Sequence, residues 1–334
     1  MVIYPVLIGL ECSMYIAIIG AGFAGLSVAW HLVQQGVYEV VIFDAKGIGG
    51  GASGVAAGLL HPYVGEEGKK SLHAQEALQS ASRLIETVQT HLQEQLLFPG
   101  LIRHLFTQEM QERFASYKDV TRLDQERFWI ASGMTVDCPR YLEGLWQLLT
   151  KKGVTLVHRS IQDLQELAHF DQVVVTAGAG VKTLLPSLPV SFVKGQVILC
   201  RVPEGVLLPE VSSHSKGYLA LSHNRKICTL GSTYERGGVD ETPHLTFTLS
   251  YLLPKLKQFF PEVDRLEPLE CKAAVRVIRR GHYFPLLAKV QDRVWVIAAL
   301  GSRGLLYHAL LGNVMARAIE NNDPSLLESL YDTR

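Results

Sequence analysis

Residues 15–44 of this 334-residue chain, YIAIIGAGFAGLSVAWHLVQQGVYEVVIFD, contain the clearest structural pattern in the sequence. The first part of this stretch, YIAII at 15–19, is short and apolar, which is typical of a central parallel strand. A glycine-rich turn at 20–25 comes next, and the apolar residues after it have helical spacing until Gly36, where we expect the helix to end. VVIF at 40–43 then forms a second strand. The stretch therefore predicts a βαβ unit with parallel strands.

The turn carries the pattern GxGxxG, and an acidic residue, Asp44, follows its last glycine by 19 residues. In such a unit Gly20 permits the tight turn, Gly22 lets a pyrophosphate approach the backbone, and Gly25 lets the helix pack on the strand. The helix N-terminus offers free N–H groups to the phosphates, and Asp44 can accept hydrogen bonds from a ribose. The sequence thus predicts a dinucleotide site, with contacts from Gly20, Ala21, Gly22, Phe23, Ala24, Gly25 and Asp44.

Further segments add to this predicted site. The stretch 47–62 is rich in glycine and alanine, which suits backbone that lies against a flat ligand. Strands are predicted at 154–157, at 171–176 before the sequence AGAG, and at 294–300 before a GSRG turn and a helix. Because the carboxyl ends of parallel strands meet at one edge of a sheet, we expect these segments to converge. The expected contacts are Ala52, Ser53, Gly58, Leu59, Thr155, Leu156, Ala177, Gly178, Gly301, Ser302, Arg303, Gly304 and Leu305.

Composition and charge narrow the class of protein. Hydrophobic residues make up 48% of the chain and charged residues 19%, so a large core is expected, and the length favours two lobes. Lys+Arg and Asp+Glu are both 32, so the chain lacks the overall basic charge of a nucleic-acid-binding domain. The 5 cysteines are scattered and form no CxxC pair, which predicts neither a disulfide framework nor a metal site and suits the cytoplasm.

Residues 14–33 form an apolar run of membrane-spanning length. Three glycines interrupt this run at turn spacing, and no Lys or Arg precedes Lys46, so we expect neither a membrane span nor a signal peptide. Residues 1–13 are a weakly patterned apolar extension, and the sequence leaves open whether Met1 or Met14 is the start.

The predicted secondary structure changes character twice along the chain, from alternating helices and strands to other patterns. A helix is predicted at 72–96 and an irregular region at 99–133, after which helix and strand patterns of the first style resume. From 188 to 290 short β-like runs replace them, with one helix near 249–259. We therefore expect an α/β plus α+β fold with two domains. These are a Rossmann-like dinucleotide-binding domain of residues 14–75, 135–187 and 291–334, and an inserted antiparallel-sheet substrate domain of residues 76–134 and 188–290.

With these motifs in order, the chain resembles the D-amino-acid oxidase-like FAD oxidoreductases, which include glycine oxidase and sarcosine oxidase. The segments KGQ at 194–196, GYL at 217–219, GSTYERG at 231–237 and ALGSRGL at 299–305 resemble more closely the FAD-dependent half of the bifunctional tRNA 5-methylaminomethyl-2-thiouridine biosynthesis proteins. The resemblance implies a glycine-oxidase-type fold, FAD as cofactor and oxygen as electron acceptor. Some sarcosine oxidases attach flavin through a cysteine, but none lies at 276–287, so we expect non-covalent FAD.

That half of the bifunctional proteins removes the carboxymethyl group from 5-carboxymethylaminomethyluridine at the tRNA wobble position. Glycine, sarcosine and this side chain are all amines that bear CH2–COO⁻. The resemblance therefore implies hydride transfer from that CH2 to flavin, after which water hydrolyses the imine to glyoxylate and an amine. It places Arg276 at the substrate carboxylate, which a guanidinium can hold through two parallel hydrogen bonds. Arg303 is a second candidate for this role, and Tyr218 and Tyr234 are expected to bind the carboxylate or to wall the pocket.

Three interpretations stay open from the sequence. The chain oxidises the tRNA side chain, or it oxidises free glycine, sarcosine or a D-amino acid, or it binds flavin without catalysis. No general base stands out: His61 is one candidate, and deprotonation of the amine by solvent is the alternative. Two clusters of basic residues would let tRNA dock despite the zero net charge if they shared one face. The clusters are Arg276, Arg279, Arg280 and His282, and Lys216, Arg225 and Lys226.

Overall fold

The computed structural model describes residues 14–36, 38–65, 68–282 and 284–331. The apolar extension and the alternative start concern residues 1–13, which lie outside the described residues. The strands are β1 (Met14–Ile19), β2 (Tyr38–Phe43), β3 (Leu59–Leu60), β4 (Tyr63–Val64), β5 (Lys69–Lys70), β6 (Leu97–His104), β7 (Val120–Arg122), β8 (Arg127–Val136), β9 (Thr155–Val157), β10 (Gln172–Val175), β11 (Val190–Arg201), β12 (Ser213–His214), β13 (Tyr218–Leu221), β14 (Ile227–Gly231), β15 (Glu235–Arg236), β16 (Glu267–Arg279), β17 (Leu286–Gln291) and β18 (Val294–Ala298). The helices are α1 (Phe23–Val33), α2 (Ala74–Leu92), α3 (Gln108–Ala115), α4 (Cys138–Lys151), α5 (Val181–Leu184), α6 (Leu245–Leu256), α7 (Gly304–Glu320) and α8 (Ser325–Glu328), with 3-10 turns at Leu164–Leu167, Gly178–Gly180 and Pro261–Arg265.

One sheet, here called sheet A, contains the predicted βαβ unit. Its strand order is β17, β18, β10, β1, β2 and β9 within the described chain. All neighbouring strands are parallel except β17, which runs antiparallel to β18. The carboxyl ends of β18, β10, β1, β2 and β9 therefore lie along one edge. This arrangement confirms the predicted Rossmann-like domain.

Alternate side chains of β1 build the two layers that cover sheet A. Ile16 and Ile18 face the helices α1, α2, α4 and α7, whereas Ala17 and Ile19 face a layer that contains Phe170. Because both faces are covered, every position of the strand interior is apolar, which explains the unbroken run in the sequence. Where α1 meets α7, a Cβ on Gly312 would lie 2.3 Å from Ser27 Oγ, so the two helices need glycine at their closest approach.

A second sheet, sheet B, is mostly antiparallel. In the part of the chain that the structure describes, its order is β15, β11, β14, β13, β12, β6, β8 and β3, with β16 paired to β11 and β7 to β8. β11 and β16 pair along nearly their whole lengths, from Val190 opposite Arg279 to Arg201 opposite Glu267. Helix α6 packs on this sheet through Leu252 and Leu256. Sheet B is the predicted inserted sheet.

The structure differs from the sequence-based division in two places. The region 99–133 is not irregular, since it holds most of β6 and β8 together with α3 and β7. The prediction was wrong there because a bulge at Pro99–Leu101, where Gly100 has φ +92°, interrupts the alternation of the strand. The division gives helix α2 and strand β17 to the substrate domain. In the structure, α2 packs on α7 and β17 is a strand of sheet A. The rest of the division stays a prediction.

Several features are absent among the described residues. No helix there has the length and apolar character needed to span a membrane. No group of three or more His, Cys, Asp and Glu side chains in the described part of the chain is placed to hold a metal ion. Cys138, Cys200 and Cys228 are buried and Cys271 is half-buried, each as a free thiol.

Buried histidines make the stability of this fold sensitive to acid. His308 is fully buried, its ring bonded to Tyr141 Oη at 2.6 Å and to Leu305 O at 2.8 Å, and burial lowers its pKa from 6.5 to about 4. Above pH 6.5 the ring is neutral in both the folded and the unfolded chain. Below pH 6.5 only the unfolded chain takes up the proton, so stability is lost as the pH falls towards 4. Burial lowers the pKa in the same direction for His31, His61, His104 and His214.

We therefore predict that the free energy of unfolding falls between pH 6 and pH 4, with His308 contributing about 1.4 kcal/mol per pH unit. Urea unfolding at several pH values measures this slope. His308→Gln is expected to reduce the slope, whereas His223→Gln, which alters an exposed histidine, leaves it unchanged. An equal slope in His308→Gln and the unaltered protein would show that His308 does not stay neutral on folding.

Candidate active site

A cavity of about 1000 Å³ lies at the carboxyl edge of sheet A, between that sheet and sheet B. Ile19 and Phe43, the last residues of β1 and β2, line it from one side. Val197 on β11 and Val277 on β16 line it from the other side. This volume is at the upper end of the range for small-molecule sites, so the cavity suits a ligand as long as a dinucleotide.

The turn between β1 and α1 needs glycine for reasons that the contacts show. Gly20 has φ +112°, and a Cβ there would lie 2.4 Å from Thr176 O. A Cβ on Gly25 would lie 1.9 Å from Gly20 O, so a larger residue would push α1 away from the strand. A Cβ on Gly22 would lie 2.8 Å from Ser53 Oγ. The three glycines therefore bring the N-terminus of α1 to the wall of the cavity, where it can meet phosphates.

The carboxylate of Asp44 fixes the backbone around this turn. Its Oδ2 accepts a hydrogen bond from Ala21 N at 2.8 Å, and its Oδ1 accepts from Lys46 N at 2.8 Å and Gly47 N at 3.0 Å. Nearby, Ser53 Oγ accepts from Phe23 N at 3.0 Å. Asp44 thus lines the cavity while it holds the turn and the loop after β2 together.

Most of the predicted cofactor contacts line this cavity. Among the lining residues are Gly20, Gly22, Phe23, Ala24, Asp44, Ala52, Ser53, Gly58, Leu59, Ala177, Gly178, Gly301, Ser302, Arg303, Gly304 and Leu305. Ala21 and Gly25 do not line it, because the first takes part in the Asp44 contacts and the second packs against Gly20. Thr155 and Leu156 do not line it either. They pair with Val41 and Ile42 inside sheet A, and residues 159–162, which follow β9, reach the cavity instead.

Arg276 lies on β16 opposite Val193 and reaches the cavity from sheet B. Its Nη2 donates hydrogen bonds to Thr233 O at 2.8 Å and to Ser232 Oγ at 3.2 Å. Burial lowers the pKa of this guanidinium, because desolvation penalises the charged form, and the phenol of Tyr218 acts in the opposite direction. A half-buried cation in a cavity of this kind is typical of an anion site.

Two glycines make room for the polar side chains beside this arginine. A Cβ on Gly195 would lie 1.8 Å from Arg276 Nη2, and a Cβ on Gly231 would lie 2.4 Å from Tyr218 Oη. Burial raises the pKa of Tyr218 to about 12 although the charge of Arg276 opposes the shift. The hydroxyl of Tyr218 therefore stays protonated at neutral pH and can donate a hydrogen bond.

The other two predicted catalytic residues, Tyr234 and Arg303, lie on different walls of the cavity. Tyr234 is 46% exposed, and its ring centroid lies 5.9 Å from the guanidinium carbon of Arg276. Arg303 is the residue before α7, and both it and the first residues of the helix, Gly304 and Leu305, line the cavity. The N-terminus of α7 therefore adds its partial positive charge to this wall.

Sequence reasoning named His61 but missed its neighbour in the cavity wall, His214. His61 and His214 have ring centroids 4.6 Å apart, and both line the cavity. His61 Nδ1 and His214 Nε2 are buried and have no hydrogen-bond partner among the described residues. Burial lowers the pKa of His61 to about 3, with the charge of Arg103 acting in the same direction, so His61 is a weak base in the free protein. His214 left no signal in the sequence, because distant strand pairing alone brings it to His61.

The residues present fit FAD. The glycine turn, the α1 N-terminus and Asp44 provide the features that a dinucleotide needs, and residues 301–304 provide a third segment for a long ligand. No cysteine among the described residues lines the cavity, and the expectation of non-covalent FAD stays a prediction.

Comparison with known proteins identifies the class. The family model described as "DAO: FAD dependent oxidoreductase" matches residues 16–318, so the chain belongs to this family. It is therefore an FAD-dependent oxidoreductase, and the predicted family resemblance, cofactor and oxidoreductase class are confirmed.

Particular relatives refine this picture. The tRNA 5-methylaminomethyl-2-thiouridine biosynthesis bifunctional protein MnmC of Maricaulis maris is 26% identical over 94% of this chain and 53% of its own length. The same protein of Marinobacter nauticus is 27% identical over 91% of this chain and 55% of its own length. The chain thus spans about half the length of these curated relatives.

Solved structures share the fold. Glycine oxidase from Geobacillus kaustophilus has a TM-score of 0.78 and 21% identity, covering 92% of this chain and 94% of that one. Iminodiacetate oxidase from Chelativorans sp. BNC1 has a TM-score of 0.76 and 20% identity, covering 92% and 96%. These likenesses confirm the predicted glycine-oxidase-type fold.

We predict that Asp44→Ala weakens FAD binding at least tenfold, because three backbone amides lose a charged acceptor and the turn loosens. Titration of the apoprotein with FAD, followed by flavin fluorescence, measures the dissociation constant. Asp171→Ala is the matched control, since Asp171 also accepts a backbone hydrogen bond, from Tyr15 N at 2.7 Å, but does not line the cavity. Equal affinity in the two variants would contradict a role for Asp44 in the cofactor site.

We also predict that Gly195→Ala displaces the guanidinium of Arg276, since the new methyl group would occupy the position of Nη2. The end of a long side chain can move at low cost, so thermal stability and FAD content should change little. The KM for a carboxylate-bearing amine should rise about tenfold or more, as expected when a charged hydrogen bond is lost. Gly205→Ala serves as the control, because the nearest atom to its Cβ is 3.7 Å away, although its φ of +78° adds local strain. An unchanged KM in Gly195→Ala would rule out Arg276 as the carboxylate ligand in its present position.

Proposed function

We propose that this enzyme oxidises the CH2–N bond of an N-substituted glycine, namely the carboxymethylaminomethyl group of wobble uridine in tRNA, and releases glyoxylate. The observation that carries the proposal is the position of Arg276, a half-buried cation beside Tyr218 in the same cavity as the dinucleotide turn. A carboxylate bound there would place its neighbouring CH2 inside the cavity. The names of the curated relatives support tRNA as the carrier of that group.

Arg276 is proposed to hold the substrate carboxylate. A guanidinium has five N–H donors, and the hydrogen bonds to Thr233 and Ser232 use Nη2. Each edge of a guanidinium that can hold a carboxylate through two parallel hydrogen bonds includes Nη2. The substrate carboxylate is therefore proposed to take one Nη2 donor in place of Ser232 Oγ and a second donor from Nε or Nη1. Tyr218, protonated at neutral pH, adds a hydroxyl donor. This arrangement fixes the substrate at its carboxylate end and leaves the amine free to lie elsewhere in the cavity.

The remaining walls have proposed roles that follow from their charge. The buried ring nitrogens of His61 and His214 provide neutral groups that can hydrogen-bond the amine. The N-terminus of α7 and Arg303 provide positive potential that stabilises negative charge developing at their wall. When bound, FAD supplies the acceptor for the hydride that leaves the substrate CH2. Oxygen is the proposed final electron acceptor.

A second candidate is oxidation of a free amino acid. The fold likeness to glycine oxidase and the zero net charge of the chain favour this alternative. Both substrates end in the same amine and carboxylate, so Arg276 and Tyr218 would act alike on either. The identity of the carrier must therefore come from an experiment.

The deciding experiment is anaerobic reduction of the bound flavin, followed by its visible absorbance. We predict reduction by tRNA that carries the carboxymethylaminomethyl group, with release of glyoxylate, and no reduction by glycine, sarcosine or D-alanine. Arg276→Ala should keep its FAD but lose the reaction. Arg279→Ala is the control and should keep both, because the guanidinium of Arg279 lies over the Tyr331 ring. Reduction by a free amino acid alone would overturn the proposal in favour of the second candidate.

A further inference from the structure

A line of aromatic and basic side chains runs from the outside of the protein to the cavity mouth. On α6, Phe247, Tyr251 and Lys255 follow one another at four-residue intervals, which places them on one face of the helix. The rings of Phe247 and Tyr251 have centroids 6.0 Å apart, and Lys255 Nζ lies 3.5 Å from the Tyr251 centroid. We call these three residues the α6 ridge.

Tyr234 and Arg236 line the same cavity as Tyr251 and Lys255 of the α6 ridge. The guanidinium carbon of Arg236 lies 5.7 Å from the Tyr234 ring centroid, and that of Arg276 lies 5.9 Å from the same ring. Tyr234 therefore links the cation inside the cavity to a cation at its mouth. Tyr234, Arg236, Tyr251 and Lys255 all line the cavity, and Phe247 lies just outside it.

Two of these aromatic side chains are exposed to solvent. Phe247 is 43% exposed and Tyr234 is 46% exposed. Tyr234 lies beside two guanidinium groups, and Phe247 lies beside the Tyr251 ring, so both exposed side chains leave apolar surface open to solvent next to polar neighbours. Such faces indicate a binding surface rather than ordinary surface residues.

The cavity and its mouth are strongly positive although the chain is neutral. Among the described residues, the charged ones that line the cavity are eight basic residues, Lys46, Arg103, Arg159, Lys216, Arg236, Lys255, Arg276 and Arg303, and two acidic residues, Asp44 and Glu241. Glu241 pairs with Lys46, and Arg159 pairs with Glu166. No carboxylate of the described residues forms an ion pair with Lys216, Arg236 or Lys255. These three cations are available for a polyanion.

The basic clusters seen in the sequence do not form this surface. Arg225 donates to the backbone oxygens of Glu210 and Pro209, and Arg280 donates to Ser191 Oγ. Of the two clusters, Lys216 and Arg276 line the cavity, and Arg225, Lys226, Arg279, Arg280 and His282 do not. The positive mouth instead combines Lys216 with Arg236 and Lys255, two residues that the sequence analysis did not single out.

We propose that the α6 ridge, with Tyr234 and Arg236, binds single-stranded RNA, so that the nucleotides next to the oxidised one stack on its rings. This inference rests on the proposed function. A uridine whose side chain reaches Arg276 must leave the stack of its loop, and its neighbours then lie at the cavity mouth. Exposed aromatic faces bind bases of any sequence, and adjacent cations bind the phosphates. The alternation of rings and cations on this surface matches that requirement.

The first test compares two substrates that carry the same reactive group. Flavin reduction is measured with modified tRNA and with the free nucleoside 5-carboxymethylaminomethyluridine. In Phe247→Ala the ratio of kcat/KM for tRNA to that for the nucleoside should fall about tenfold, because one stacking partner is lost. Phe106→Ala, which removes a ring that is 38% exposed but does not line the cavity, should leave the ratio unchanged. An unchanged ratio in Phe247→Ala would overturn the inference.

The second test measures binding without catalysis. A fluorescent, unmodified anticodon stem-loop RNA is titrated with the FAD-bound enzyme at several salt concentrations. Lys255→Gln and Arg236→Gln should each reduce the slope of log Kd against log salt concentration by about 0.7, because each variant removes one phosphate contact. Lys226→Gln, which removes an exposed lysine outside the cavity, should not change the slope. Equal slopes in all variants would show that RNA does not bind at this mouth.

The two tests separate the inference from the proposed function. Stem-loop binding that depends on Arg236 and Lys255, without flavin reduction by modified tRNA, would keep the binding surface and overturn the proposed reaction. Flavin reduction by tRNA that is insensitive to Phe247, Arg236 and Lys255 would keep the reaction and overturn the surface. Failure of tRNA both to bind and to reduce the flavin would overturn both.

Discussion

The cofactor end of the site depends on one carboxylate. Asp44 accepts three backbone hydrogen bonds, one from the turn after β1 and two from the loop after β2. The loop then returns over the start of α1, where Gly49 N donates to Ala21 O at 2.9 Å and Ser53 meets Phe23 N. These bonds together fix two glycine-rich segments that have little intrinsic preference for any conformation, and Asp44 supplies the charged acceptor that both segments share. This part of the cavity is therefore held by hydrogen bonds that centre on one carboxylate.

The first thirty or so residues of the domain could be predicted from the sequence because their interactions are local. A strand, a glycine turn, a helix and a terminal acid each left a short-range pattern, and the structure joins them as the pattern indicates. The prediction of an irregular region at 99–133 was wrong. Its strands are defined by long-range pairing, and a bulge at Gly100 interrupts the alternation of side chains that would mark a strand in the sequence. The rule that carboxyl ends of parallel strands meet at one edge correctly placed residues 177–178 and 301–305 at the cavity. Thr155 and Leu156 lie within their strand, before the residues that reach the cavity.

The substrate end shows a different limit of sequence reasoning. Arg276 was predicted as a site residue only through resemblance to a family, because no pattern near it in the sequence indicates that it faces a cavity. Its position follows from the pairing of β16 with β11, where Gly195 leaves space for the guanidinium. His214 on β12 and Tyr251 and Lys255 on α6 come from two separate elements and meet at the cavity only in the folded chain. Such sites are properties of the topology, so a pattern of neighbouring residues could not reveal them.

The uneven distribution of charge also affects how the whole molecule behaves in solution. Eight cations and two carboxylates of the described residues line the cavity, so the remainder of a sequence with zero formal charge includes six more acidic than basic residues. The cavity is therefore a local region of excess positive charge in a neutral chain. An approaching anion is attracted towards this region over a range set by the ionic strength. An isoelectric point near 7.2 conceals this local excess, because it reports the sum of the charges and not their arrangement.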